Sequence, residues 1–496
     1  MNKPIKKIVV VGRDADAWLS AFMLQLSLAK SPDRISVELI EMPSQLRPQD
    51  FYSVLPSHKA LHKALGVNEN ALLKTCSGLY VLAQRFSNWS GVDLPFVHAY
   101  DTHGHSLANV DFFQYWLKAR KGGLNVPLED FSLGAVAAKQ GRFVVLSDSS
   151  RSFSRATYGY HLSALPYLQA VGKAALKAGL IHRTSAIKSV NMQDGYIKSL
   201  VLQDDVVVDG DLFIDASGAE AILISQVEKN NYENWQHWLP CDRKLIANAP
   251  SLTPVPAFGQ ISAIGAGWVG FFPLANRTAI TAVYSSRHAT RNDVLQKMAA
   301  LSGGNAGDAV ESPLCAGARK KHWIGNCVAL GSAAVNLDPL DAVDLHMLHL
   351  GLSLLRELFP VDSTDMKEAA LFNEKMQTYA ANVRDFQIAH YQLNQRVGEP
   401  FWDEVRNVAP PFALAEKIAL FNSRGCIAMR EDETFQEENW TSLFVGHGLM
   451  PRAYDPLVDK MPEQEQIEKF QHILLHIASE VQNMPSLQAH IAMNAF

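Results

Sequence analysis

Cysteine is scarce and unpaired: Cys76, Cys241, Cys315, Cys327 and Cys426 are scattered through 496 residues, and none stands in a Cys-x-x-Cys spacing. An odd, dispersed set argues against a disulfide framework or a zinc ribbon and fits a reducing cytoplasm. Long apolar runs are missing too. No stretch reaches the length of a membrane span, and the basic start, MNKPIKKIVVVG, runs into a short strand without an apolar signal core or cleavage site. A cytoplasmic protein with no membrane segment is expected. Nor is there an excess of charge: 45 Lys and Arg against 50 Asp and Glu leave −5, which steers the chain toward neither nucleic acid nor acidic membranes. There is no internal repeat, low-complexity tract or disordered linker.

What is present is a composition able to bury a large core, 48% hydrophobic and 19% charged. At this length the expectation is a large α/β body with an attached helical part, or two to three domains. Residues 7–12 read as a buried parallel strand ended by glycine, residues 15–29 as a helix, and residues 35–41 as a second strand after the helix-stopping pair Ser31-Pro32. This is a βαβ unit. Residues 142–147 and 187–202 read as antiparallel strands, the latter a hairpin turning at Asp194-Gly195, and residues 161–178 read as a helix. Residues 211–218 (DLFIDASG), 258–264, 277–284 and 323–330 read as further strands, the last meeting Gly331. Beyond about 335 the pattern turns helical, at 343–358, 366–394 and 464–482. The expected division is an α/β body over 1–335, with an inserted antiparallel sheet, and a mainly helical region over 336–496.

A terminal βαβ, a return to the sheet at DLFIDASG and a late strand–Gly–helix element make up the plan of the flavoprotein monooxygenases. Narrower stretches resemble the flavin-dependent tryptophan halogenase family: NWQHWLPCDR (234–243), GWVGFFPL (267–274), WIGNCVALG (323–331), DPLD (338–341), RDFQIAHY (384–391), Asn88-Trp89, and Trp440, Gly446, Gly448, Pro451 and Tyr454. Each is weak alone; in order, over some nine-tenths of the chain, they identify the family. The fold this implies is α/β, a dinucleotide-binding βαβ sheet domain of the flavin monooxygenase type with an inserted antiparallel sheet and a mainly helical C-terminal part.

The resemblance further implies a two-component enzyme. Reduced FAD from a separate reductase reacts with oxygen and oxidises halide; the hypohalous species reaches a lysine that directs halogenation of an electron-rich, indole-like ring, and a glutamate helps stabilise the ring intermediate. Carried over position by position, it assigns Gly12, Arg13, Trp18, Glu41, Asp215, Gly218 and Gly331 to the cofactor, and Trp268, Phe272 and Pro273 to the substrate pocket. The catalytic glutamate position is Asp341, and the lysine position is Val81.

At several places the family's residue types are altered. The cofactor turn, GxGxxG followed by Trp, reads Gly12-Arg13-Asp14-Ala15-Asp16-Ala17-Trp18. Glycine lets the backbone approach the pyrophosphate, whereas Asp14 adds a Cβ and a charge, and two anions at about 4 Å repel by roughly 1 kcal/mol even in water. Arg13 as a phosphate partner would offset this; the plainer reading has Asp14 and Asp16 capping the helix. Glu41 reads equally as the ribose acid or as a solvated strand-end carboxylate. The flavin-facing loop GVGEATxP corresponds to QDFYSVLP (49–56), whose aromatics fill the ring space. Valine at 81 can neither donate a hydrogen bond to a hypohalous acid nor form a haloamine. EPLESTG reads Asp338-Pro339-Leu340-Asp341-Ala342-Val343-Asp344, with Asp344 in place of the glycine beside the halide, and the second Trp of WxWxIP is Gly270.

Other constellations carry plainer readings. His346 and His349, with Asp341 and Asp344 on one helix, could face a metal, but ordinary helix residues are favoured and no metal is expected. His98, His103 and His105 read as a surface loop, Trp235, Trp238 and Trp268 as core rather than substrate box, and Cys241 and Cys327 as inert. No Ser stands in a nucleophile elbow. Two functional readings remain: a non-catalytic halogenase homologue acting by binding, or a divergent flavin-dependent halogenase or monooxygenase acting on an indole-like aromatic. The partners implied are a flavin reductase, an active halogenase paralogue, a small aromatic ligand or a second copy of the chain.

Overall fold

A computed structural model describes residues 3–28, 35–90, 95–145, 157–304 and 306–493. The pair Ser31-Pro32 and positions 146 and 147 lie outside them. The chain forms two compact units, each built from three segments: Met1–Cys76, Leu162–Gln236 and Leu314–Asn382 in the first, and Ser77–His161, His237–Pro313 and Val383–Phe496 in the second.

The first unit is organised on a six-stranded sheet. Its order is Trp323–Ile324, Cys327–Ala329, Leu212–Ala216, Lys7–Gly12, Ser36–Glu41 and Ile181–Thr184, all parallel except the two-residue edge strand. The β-branched run Ile8–Val11 is fully buried, as expected of a parallel strand covered on both faces. Gly12 is required where this strand ends: a Cβ there would lie 2.0 Å from the Ala216 carbonyl oxygen of the neighbouring strand. From Gly12 the chain turns directly into the helix Asp14–Leu28. The expected hairpin is present as Ile187–Gln193 and Tyr196–Leu202, with Asp194 and Gly195 both at positive φ, 51° and 82°, and it belongs to a separate three-stranded sheet.

The second unit contains a seven-stranded sheet in the order Val310–Pro313, Arg243–Ala249, Thr278–Tyr284, Gly267–Pro273, Phe258–Ile264, Ala83–Ser87 and Phe96–Ala99. Leu245, Val269, Ile280 and Ala282 on this sheet pack with Val294 and Met298 of the helix Arg291–Leu301. A second core is aromatic. Trp89 lies 5.2 Å from Trp402 and 5.9 Å from Tyr391, and Phe386 stacks on Phe435 and meets Trp440 edge-on at 4.8 Å. Beyond residue 335 the chain is mainly helical, with Asp344–Glu357, Glu368–Gln392, Pro400–Asn407, Phe412–Arg424, Glu437–Gly446 and Glu463–Asn483 as its longer helices.

Three sequence expectations are corrected. Residues 142–145 form no strand beyond an isolated bridge between Arg142 and Ser486. The helix expected from 161 begins at Ala164, because His161 pairs with Leu79 in the strand Gly159–Ser163. The strand expected over 323–330 is a tight hairpin instead. Gly325 (φ 54°) makes its turn, and the Asn326 amide bonds both the N–H and the carbonyl of Ile197. Substituting Gly12→Ala is expected to lower the free energy of unfolding by about 3 kcal/mol, the upper range for overpacking; urea denaturation with an unchanged m value checks it.

Candidate cofactor and substrate sites

The charged side chains of the turn at 12–18 in the first unit are engaged by the chain's own groups, although Arg13 Nε, itself buried, has no partner. Asp14 has φ 56°, a left-handed backbone that favours glycine; its carboxylate accepts from Ser44 Oγ at 2.5 Å and from Gln45 N at 3.3 Å. Burial raises its pKa, against the Ser44 hydrogen bond. Asp16 accepts from the backbone N–H of Ser332 at 2.8 Å. Gly331, at φ 58°, makes room for it: a Cβ there would lie 2.3–2.6 Å from the Asp16 carboxyl atoms. Burial pushes Asp16 up to about 6, with the charges of Asp344 and Asp14 acting in the same direction. Neither carboxylate turns back onto its own helix, so the capping expectation is replaced by two long-range contacts.

Arg13 is ion-paired with Glu220 at 3.0 Å, and Gln45 Nε2 donates to the other Glu220 oxygen at 3.2 Å. Glu41 is not a solvated carboxylate. Trp18 Nε1 donates to one oxygen at 2.9 Å, His182 Nε2 lies 2.8 Å from the other, and the Trp18 and His182 rings are 4.9 Å apart. Asp215 is fully buried and accepts from Ser217 N, Ser217 Oγ, Leu223 N and Ile224 N, at 2.6–3.1 Å. It thereby anchors the turn at Gly218, whose φ of 83° faces open space.

Residues 49–56 contain the strand Phe51–Val54. The Tyr52 ring meets Tyr167 edge-on at 5.6 Å, and burial, with the Asp14 and Asp16 charges, pushes its hydroxyl well up. Asp341 and Ala342 are buried and consecutively left-handed, at φ 62° and 60°. Asp344 is exposed in the first turn of Asp344–Glu357, where a carboxylate is favoured by the helix dipole.

In the second unit Val81 is buried and lies opposite Gly159. The adjoining residues Leu82 and Tyr158 line a cavity of about 20 Å³ with Leu133, Ala137 and Thr157, about enough for one water. Trp268, Gly270 and Phe272 alternate onto one face of Gly267–Pro273. The Phe272 ring covers the glycine: a Cβ on Gly270 would sit 2.5 Å from it and 3.0 Å from Trp268. Trp268 and Phe272 are buried, and His161 donates from Nδ1 to the Pro273 carbonyl at 3.0 Å. Burial pushes His161 down to about 4. His98 and His103, expected on a surface loop, are buried; they contact Asn439 and Ser442 at 3.2 Å, while His105 is exposed as expected. Trp235 and Trp268 are core residues, and Trp238 is half-buried beneath the Arg384 guanidinium, 5.0 Å from the ring centroid.

Sequence reasoning missed Glu220 and Ser332 as partners of the turn and His182 as the partner of Glu41. Their contacts span between 141 and 316 residues of chain, and no local pattern marks them.

A parallel dinucleotide-type sheet, an inserted antiparallel sheet and a helical C-terminal part define the fold of the flavin-dependent halogenases. Residues 7–463 match the tryptophan halogenase family, and the chain belongs to it. BrvH, a flavin-dependent halogenase from Brevundimonas sp. BAL3, superposes with a TM-score of 0.94 at 28% identity, covering 99% of both chains. Xcc4156, a flavin-dependent halogenase from Xanthomonas campestris, superposes with the same TM-score and coverage at 26% identity. Among curated proteins, tryptophan 7-halogenase RebH of Lentzea aerocolonigenes is 24% identical over 93% of each chain.

The Asp16 carboxyl has a raised pKa, so it favours folding while protonated and costs stability as pH rises from about 4 through about 6. Asp16→Asn keeps an acceptor for Ser332 N–H without the charge. It is expected to raise unfolding stability by about 1 kcal/mol at pH 7.5, after allowance for solvent screening, and by nothing near pH 4. Denaturation at the two pH values checks it.

Proposed function

We propose that this chain is a non-catalytic member of the tryptophan halogenase family that acts by binding, with an active halogenase paralogue or a flavin reductase as its partner. The observation that carries this reading is the Asp16 carboxylate seated on Ser332 N–H against Gly331. FAD does not fit such a turn. Its diphosphate would meet the Asp14 and Asp16 carboxylates, and each repulsion at about 4 Å is worth roughly 4 kcal/mol at an effective dielectric of 20. One such term moves a micromolar site to about millimolar. The Glu41 carboxylate is held within the fold, one oxygen on Trp18 and the other on His182.

The second unit supports the same reading separately. Val81, buried at the family's lysine position, brings no amine to a hypohalous acid. The alternative, a divergent two-component FAD-dependent halogenase or monooxygenase acting on an indole-like ring, draws on Asp341, a buried carboxylate at the family's glutamate position.

Fluorescence titration with oxidised and with anaerobically reduced FAD decides between them. No saturable binding is expected up to about 100 µM, well below the millimolar affinity expected from the repulsion; saturation in the micromolar range overturns the non-catalytic reading. Val81→Lys, assayed with a flavin reductase, FAD and chloride or bromide on tryptophan and indole, is expected to yield no halogenated product. Product formation would show that only the lysine is missing.

A further inference from the structure

The first unit holds a group of histidines that none of the above uses. His58 and His62 lie one turn apart on the helix His58–Ala64, and His346 and His349 lie on Asp344–Glu357, against which that short helix packs. The His58 ring is 4.6 Å from His62 and 6.0 Å from His349, nearly perpendicular to both. His62 Nε2 is 2.8 Å from the Tyr167 hydroxyl, and Ser57 Oγ is 2.8 Å from His346 Nδ1. His58, His62 and His346 are buried, and His349 is half-buried. Among the described residues no group of three or more such side chains is arranged to hold a metal ion.

We propose that His58 and His62, gathered about Tyr167, form with His346 and His349 of the facing helix a proton-sensitive latch that holds residues 49–64 on the helix Asp344–Glu357 and releases them on acidification. The His58 ring meets His62 on its own helix and His349 on the facing one, so a charge on His58 is buried among three other bases, and one on His62 or His346 is buried within reach of His349. Burial pushes His62 and His346 down to about 4 and lowers His58 and His349 as well, and for His58 the other three histidines act in the same sense. Arg356, on the same helix as His349, lowers that ring further. The remaining titratable groups facing the cluster from packed elements are Tyr167 and Tyr52, with Lys59 on the short helix and Cys76 beside Tyr167. Asp344 and Asp16, at the start of their helices, bear on each other.

The sign follows from linkage. Each histidine has a lower pKa latched than free, so the latch is whole above the free value of about 6.5 and weakens as pH falls toward 4. A histidine that takes its proton only in the open state raises the opening constant by roughly tenfold per pH unit below about 6. The segment released carries Tyr52, which lies beside Asp14 and Asp16, so opening uncovers the aspartate-bearing turn in the same pH range in which Asp16 becomes neutral. None of this depends on whether the protein binds flavin.

Hydrogen exchange of the full chain, followed by mass spectrometry from pH 7.5 to 5.0 and corrected for intrinsic rates, tests it. Peptides covering residues 49–64 are expected to exchange at least about 100-fold faster at pH 5.0, while those covering Lys7–Gly12 keep their protection. His62→Gln combined with His346→Asn keeps hydrogen-bonding atoms near Nε2 and Nδ1 without the basic rings, and is expected to remove at least tenfold of that acceleration. Should this pair fail to fold, His349→Gln at the half-buried position is expected to remove a smaller part of it. Flat exchange in 49–64 overturns the latch. So does equal acceleration in Lys7–Gly12, which is acid unfolding of the whole unit, or an undiminished response in the folded variants.

Discussion

The parallel pairing of Lys7–Gly12 with Leu212–Ala216 sets everything that follows in the first unit. Its last step brings two backbones so close that Gly12 has no room for a side chain. That approach fixes where the sheet stops and where Asp14–Leu28 starts. The placement of the helix delivers Asp14 to Ser44 and Gln45, Asp16 to Ser332, and Trp18 to Glu41. A Cβ at Gly12 would shift all three contacts together, because they ride on one rigid turn.

The carboxylates and the guanidinium of that turn have internal partners, although Arg13 Nε has none, and the physical reason is the cost of leaving such groups without. A buried donor or acceptor with no hydrogen bond costs about 1–3 kcal/mol. A turn built to hold a diphosphate carries backbone N–H groups that need an anion or its substitute. Here a carboxylate of the turn itself serves a backbone N–H elsewhere in the unit: Asp16 accepts from Ser332, and Gly331 supplies the space. Arg13 likewise has Glu220 as its counter-charge. The desolvation that raises the Asp16 pKa is the cost of this solution, and the Ser332 N–H partly offsets it.

The second unit follows a different logic, that of volume. Where the family has a second tryptophan, Phe272 swings its ring over Gly270 and restores the packing from two residues along the strand. The family's signature residues Trp89, Phe386, Tyr391 and Trp440 form interlocked aromatic cores, and such cores tolerate little change in shape. Those stretches therefore carry the resemblance. Gly270, which differs, sits where a smaller side chain is accommodated by a neighbour, and Val81 is buried opposite Gly159.

Hydrophobic period and turn chemistry are local, so the βαβ start, the Asp194-Gly195 hairpin and the long C-terminal helices were determined by the sequence itself. So was the departure of Asp14, residues 49–56, Val81 and Asp344 from the family's residue types, which needs only position along the chain. Where the carboxylates go was decided by tertiary structure. Asp16 meets Ser332 and Glu41 meets His182 because strands distant in sequence are neighbours in the sheet. For the same reason His98 and His103 are buried against a helix more than 300 residues away, although their local sequence reads as a loop. Capping is a local rule, and at this turn it gave way to a part-buried hydrogen bond across the fold, from Ser332 N–H to Asp16.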